Sequence, residues 1–147
     1  MEQGNNATRR KDESGSIWDE AEVIASYTRR QALEDGVLVD VSQTAQECGF
    51  KHPVAVTARV WAEVIEPDEQ ARAEGQSETG RLWDVLWMLR NAVQRAVVEK
   101  GDALRDEVRY GVLIGAGAKR SEKRLRAVCR PGDEGEPVIT IMMPNED

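Results

Sequence analysis

Between Ser26 and Trp61 the chain reads SYTRRQALEDGVLVDVSQTAQECGFKHPVAVTARVW, where cap residues, terminating glycines and short apolar runs follow one another with almost no slack. Such agreement among local signals marks a compact, ordered domain. Thr28 followed three residues later by Gln31 reads as a capping box at a helix start, and Gly36 ends that helix. Val37, Val39 and Val41 alternate with Leu38 and Asp40, which predicts a short extended segment. Ser42 is placed to cap a second short helix closed by Gly49. Pro53 and Thr57 repeat the pattern: Val60, Trp61, Val64 and Ile65 then share one helical face, and Pro67 stops the helix.

The acidic stretch from Glu66 to Glu78, with Pro67 and Gly75, reads as a solvent loop. A long helix is predicted from about Gly80 to Lys100. Leu82, Leu86, Leu89, Val93, Ala96 and Val97 recur there at three- and four-residue intervals, Ser77 or Thr79 can cap the start, and Gly101 follows the last turn. Beyond it the period becomes two. Val108, Tyr110, Val112 and Ile114, then Leu125, Ala127 and Cys129, then Ile139, Ile141 and Met143 imply three strands. The loops Gly115 to Lys123 and Pro131 to Pro137 suit hairpins. The expected fold is therefore α+β, with short N-terminal helices and one long helix packed against a three-stranded antiparallel β-meander.

A chain of 147 residues can bury a real core as one domain. Residues 1–15 are polar and charged and are expected to form a flexible tail, leaving 16–147 as a single α+β domain. Within it, Ile17, Ala21 and Ile24 suggest a short helix starting at Ser16. No apolar run approaches the roughly 18 residues that span a bilayer, and no secretory h-region is visible, so the expected location is cytoplasmic, with no membrane partner. Two cysteines without CxxC spacing give neither a disulfide framework nor a zinc site. The net charge of -7 discourages non-specific attachment to nucleic acid.

The strings YTRRQA from Tyr27, DGVLVDVS from Asp35, PVAVT from Pro53, VW at Val60, GRLWDVLWM from Gly80 and PGDEGEPVITIM from Pro131 together resemble an uncharacterised family of small proteins. Its members are carried on bacterial plasmids, phages and integrative elements. The resemblance covers most of Val23 to Asp147. It implies a mobile-element context and, having no assigned reaction, no mechanism. The basic segment KRSEKRLRAVCR departs from the family pattern and inherits nothing from it.

Several groups bear on chemistry. Lys119, Arg120, Lys123, Arg124, Arg126 and Arg130 cluster in the second hairpin, either as an anion-binding face or as a solvated strand face. Alternation puts Arg124, Arg126 and Arg130 on its outer side. Trp83, Trp87, Arg90 and Gln94 share a helix face that would line a groove. The simpler reading is core, because one Phe and two Tyr leave the four Trp to supply volume. Tyr27, Arg29, Asp40, Arg81 and Asp84, with Thr28 and Asp35, would form a small active site if they converge, although capping and turn roles also account for them. His52 is the only histidine, so a two-histidine metal site is excluded, and it reads as surface or structural. Cys48 reads as a small buried apolar residue. Asp133, Glu134 and Glu136 are too few for an EF-hand, and GVLIGAGAK lacks the GK[ST] of a phosphate loop. No metal or cofactor is expected. The leading expectation is a non-enzymatic accessory protein that binds a host or element-encoded protein complex, in the manner of small inhibitors of host defence or regulation. The alternatives are a small enzyme built on the Tyr/Arg/Asp group, and nucleic-acid binding through the basic hairpin, which the global charge disfavours.

Overall fold

The capping box at Thr28 forms as the sequence requires: Gln31 N–H donates to Thr28 Oγ1 at 3.0 Å, and Thr28 N–H donates to Gln31 Oε1 at 3.0 Å. It opens helix α1 (Arg29–Glu34). These positions come from a computed structural model that describes residues 27–100 and 107–146. The expected flexible tail, the short helix from Ser16 and the stop at Gly101 lie outside the described residues. The chain divides into two compact units, Met1–Ala32 and Leu33–Asp147.

In the second unit the order is β1 (Leu38–Asp40), α2 (Ser42–Glu47), β2 (Val54–Thr57), α3 (Ala58–Val60) with a π turn (Trp61–Ile65), α4 (Glu69–Ala73) and α5 (Glu78–Lys100). Then come β3 (Glu107–Ile114), a 3₁₀ turn (Gly117–Lys119), β4 (Ser121–Pro131) and β5 (Pro137–Met142). The strands form one five-stranded sheet in the order β1-β2-β5-β4-β3. Strands β3, β4 and β5 pair antiparallel through two hairpins, but β5 also pairs parallel with β2, whose other neighbour β1 is antiparallel. The fold is α+β, and its sheet is mixed and five-stranded where the spacing suggested a three-stranded meander. The missing strand escapes a periodicity reading for a physical reason. Val54, Ala55 and Val56 are 0%, 1% and 0% exposed, so the strand is covered on both faces and shows no alternation.

Local chemistry places most boundaries. Gly36 and Gly49 take positive φ of 78° and 101° where α1 and α2 end. Thr57 caps α3 by accepting the Val60 N–H at 3.1 Å, and Ser77 accepts the Gly80 N–H at 3.0 Å at the start of α5. Ser42 has a different role from the one expected. Its hydroxyl lies 2.6 Å from Asp40 Oδ1 and accepts the Val54 N–H at 3.0 Å, tying the start of α2 to β2. The acidic stretch before α5 holds a helix, α4, whose first turn is capped by Asp68 accepting the Ala71 N–H at 2.7 Å.

The core lies between α5 and one face of the sheet. Leu82, Val85, Leu86 and Leu89 repeat at three- and four-residue spacing and enter the same apolar cluster as Tyr110, Val112, Leu125, Ala127 and Ile141. Val60, Val64 and Ile65 join them from α3 and its π turn, where Glu66 N–H donates to Trp61 O at 2.8 Å. No helix among the described residues is long and apolar enough to cross a membrane.

A polar bond crosses this interface: the buried Tyr110 hydroxyl donates to Val85 O at 3.1 Å. Desolvation holds that phenol well above its ordinary pKa of 10. A raised folded-state pKa contributes stability that is complete below about pH 10 and lost above it. Tyr110→Phe is expected to cost about 1 kcal/mol in urea denaturation at pH 7. It should also lessen the stability loss that the wild type shows on going above pH 10.

Candidate functional site on the outer face of the long helix

The arc of α5 that packs inward is filled by aliphatic side chains, and this decides where its tryptophans go. Trp83 and Trp87 each follow a core leucine by one residue, a turn of about 100° around the helix. They are 38% and 41% exposed. The expectation that they supply core volume is corrected here: leucine, valine and isoleucine fill that space. The two indoles stack at 6.3 Å between centroids with 9° between their planes. Arg90 continues the row, its guanidinium carbon 5.0 Å from the Trp87 ring centroid. An offset aromatic pair contributes about 0.5–1.5 kcal/mol and an exposed cation–π contact about 0.5–1 kcal/mol, enough to hold the three planes in register before anything binds.

Gly49 completes the support. A Cβ at that position would sit 3.2 Å from Arg90 Nε, so the residue that terminates α2 also leaves room for the guanidinium. Sequence reasoning recognised only its terminating role, because a close approach between residues 41 positions apart leaves no local signal. Cys48 beside it is buried, and desolvation first, then Glu47, pushes its thiol above the ordinary value, against a partial offset from Arg90. That raises the cost of forming a thiolate.

Three of the six basic residues of the hairpin lie beside carboxylates. Lys119 pairs with Glu74 at 3.5 Å and Arg124 with Glu122 at 3.5 Å, the latter pair lying over Gly111. The acidic stretch and the hairpin face each other across a cleft of about 340 Å³, with Glu63, Glu66 and Asp68 on one side and Lys119 and Lys123 on the other. Arg126 does not belong to a solvated face as expected. Its side chain is 15% exposed, with Nε 3.1 Å from Glu107 Oε1, and Nη1 donates to Met142 Sδ at 3.3 Å and to Glu146 O. Arg120 and Arg130 are exposed.

The Tyr/Arg/Asp group is not gathered into one cleft within the second unit. Asp40 is exposed and accepts the Ser42 N–H at 3.1 Å, Arg81 lines the cleft with Nη1 3.4 Å from Val64 O, and Asp84 is exposed on α5 outside the cleft. In the first unit, Tyr27 is exposed with its hydroxyl 3.5 Å from Gln31 O, and Arg29 is half-buried. His52 is exposed in the loop before β2. The Glu136 carboxylate accepts the Glu134 N–H at 3.0 Å, a turn interaction, and among the described residues no His, Cys, Asp or Glu group is arranged to hold a metal ion.

The chain belongs to the family of unknown function DUF6573, which it matches over residues 15–147. No curated protein and no solved structure matches it.

The Glu107–Arg126 contact supplies a prediction. Arg126, and secondarily Arg109, hold the Glu107 carboxyl below its ordinary value of 4.5. A lowered folded-state pKa contributes stability present above pH 4.5 and lost as the pH falls through the folded value. Urea midpoints measured from pH 7 to pH 3 should therefore fall less steeply for Glu107→Gln than for the wild type. Arg126→Glu, which sets two carboxylates together, should lose far more stability at pH 7 than Arg124→Glu, whose exposed pair is worth about 0–1 kcal/mol.

Proposed function

We propose that this protein is a non-enzymatic accessory of a mobile genetic element and acts by binding a host or element-encoded protein complex through the outer face of α5. The observation that carries the binding reading is the exposed stack of Trp83, Trp87 and Arg90. Tryptophan and arginine dominate the energetics of protein interfaces, and side chains already stacked lose less freedom on association. Two indoles on a helix surface carry an exposure cost that solvent alone does not repay.

The mobile-element setting, and with it the inhibition of a host defence or regulatory complex, draws on the resemblance of the YTRRQA, GRLWDVLWM and PGDEGEPVITIM strings to proteins carried by plasmids, phages and integrative elements. Two observations favour binding over catalysis: Asp40 and Asp84 stand apart from the cleft that Arg81 lines, and burial opposes ionisation of Cys48. Nucleic-acid binding through the hairpin is weakened by the carboxylates beside Lys119, Arg124 and Arg126 and by the net charge of -7.

Affinity capture of the tagged chain from a bacterial host, at low and moderate salt, tests the reading when run beside two variants. The expected result is a partner retained at both salts by the wild type and by Arg124→Glu. Trp83→Ala/Trp87→Ala should bind it at least about 30-fold more weakly, a hot-spot loss of about 2 kcal/mol. An unchanged partner on the double variant would contradict the proposal, as would a partner lost with Arg124→Glu.

A further inference from the structure

We infer that the outer face of α5 receives an α-helix of a different protein, one that sets a carboxylate against Arg90. The inference rests on reading this face as a protein-binding surface. Its first support is spacing. Trp83, Trp87, Arg90, Gln94 and Val97 follow one another at intervals of 4, 3, 4 and 3 residues, and Trp83, Trp87, Gln94 and Val97 are exposed. That is the heptad seam by which one helix packs along another, here on the flank of α5 about 100° round from the arc of Leu82, Val85, Leu86 and Leu89. Neighbouring positions on the seam rise by about 4.5–6 Å, the step between successive contact residues of a second helix. An extended peptide presents same-side residues about 6.8 Å apart and falls out of step within two contacts. The seam runs about 21 Å, room for four turns of a partner.

Charge selects the occupant. Arg90 is the middle residue of the five, so a second copy of this helix, packed either parallel or antiparallel in register, would bring Arg90 against its own counterpart. Like charges juxtaposed at a desolvating interface oppose that pairing. Among the described residues Arg90 has no ion pair, and its guanidinium lies over the Trp87 ring, in the space left by Gly49 and near the Cys48 thiol. A carboxylate from the partner would meet a guanidinium already fixed in direction by stacking, the arrangement in which arginine accepts a carboxylate best. A polyanionic strand is disfavoured by Asp84, exposed beside the seam, and by the charge of the whole chain. The partner helix is therefore amphipathic, with apolar residues opposite Trp83, Trp87 and Val97 and an aspartate or glutamate opposite Arg90.

The test is selection of a surface-displayed library of amphipathic helical peptides on the full-length chain, with counter-selection on Trp87→Ala. The expected winners carry apolar residues at 4-3 spacing and one acidic residue at a constant place among them. They should bind Arg90→Glu at least tenfold more weakly. A repeat selection on Arg90→Glu should replace the acidic residue with lysine or arginine. Arg90→Gln, which keeps the side-chain stem over Trp87, should give an intermediate loss and, with an unchanged near-ultraviolet spectrum, exclude misfolding as the cause. Winners indifferent to residue 90, no enrichment over the counter-selection, or a dimer in sedimentation that Trp87→Ala abolishes would each overturn the inference. If the captured cellular partner is lost on changing Trp83 and Trp87 but indifferent to Arg90→Glu, the binding reading stands and the acidic helix falls.

Discussion

The structure depends on one apolar contact, the setting of Leu82, Val85, Leu86 and Leu89 of α5 into the inner face of the sheet. Each such side chain contributes about 1.5–3 kcal/mol on burial, and truncating a buried leucine costs about 2–5 kcal/mol because neighbours relax only partly into the void. Tyr110 adds direction to this non-directional attraction: its hydroxyl reaches Val85 O and fixes how far along β3 the helix sits. Once that arc faces inward, helical geometry leaves no freedom for Trp83 and Trp87. They emerge about 100° round the axis, stack on each other, and carry Arg90 with them. The exposed face is thus a consequence of the core contact.

How far the sequence disclosed this can be followed residue by residue. Thr28 with Gln31, Thr57 and Ser77 were legible as caps because a cap is a local bond between groups three residues apart. The alternation of Tyr110, Val112 and Ile114, of Leu125 and Ala127, and of Ile139 and Ile141 makes the two hairpins legible. β2 was hidden because a strand covered on both faces loses its period, and the parallel pairing of Val54–Val56 with Ile139–Ile141 joins segments with no sequence relation to each other. The scarcity of other aromatics points Trp83 and Trp87 inward, but the leucine spacing on the same helix fills the inward arc and leaves both outside it. The approach of Arg90 to Gly49 is tertiary and had no signal at all.

The charges tell a similar story about reading composition locally. KRSEKRLRAVCR looks like an anion-binding face when taken alone, yet each of Lys119, Arg124 and Arg126 lies beside a carboxylate supplied by another part of the chain or of the hairpin. The Arg126 contacts link β4 with Glu107 on β3 and with the turn after β5, where Glu146 Oε1 also accepts Thr57 Oγ1–H at 2.8 Å and Met143 N–H at 2.7 Å. What reads as a functional cluster is in part a clasp holding the far strands together.

The aromatic face of α5 is most directly examined by hydroxyl-radical footprinting of the full-length protein with residue-level mass spectrometry. Trp83 and Trp87 should oxidise rapidly while Leu82, Leu86 and Leu89 on the same helix stay protected, since only the first pair meets water. Protection of both tryptophans together with the leucines would mean that α5 is rotated or covered, and would contradict the account at its centre.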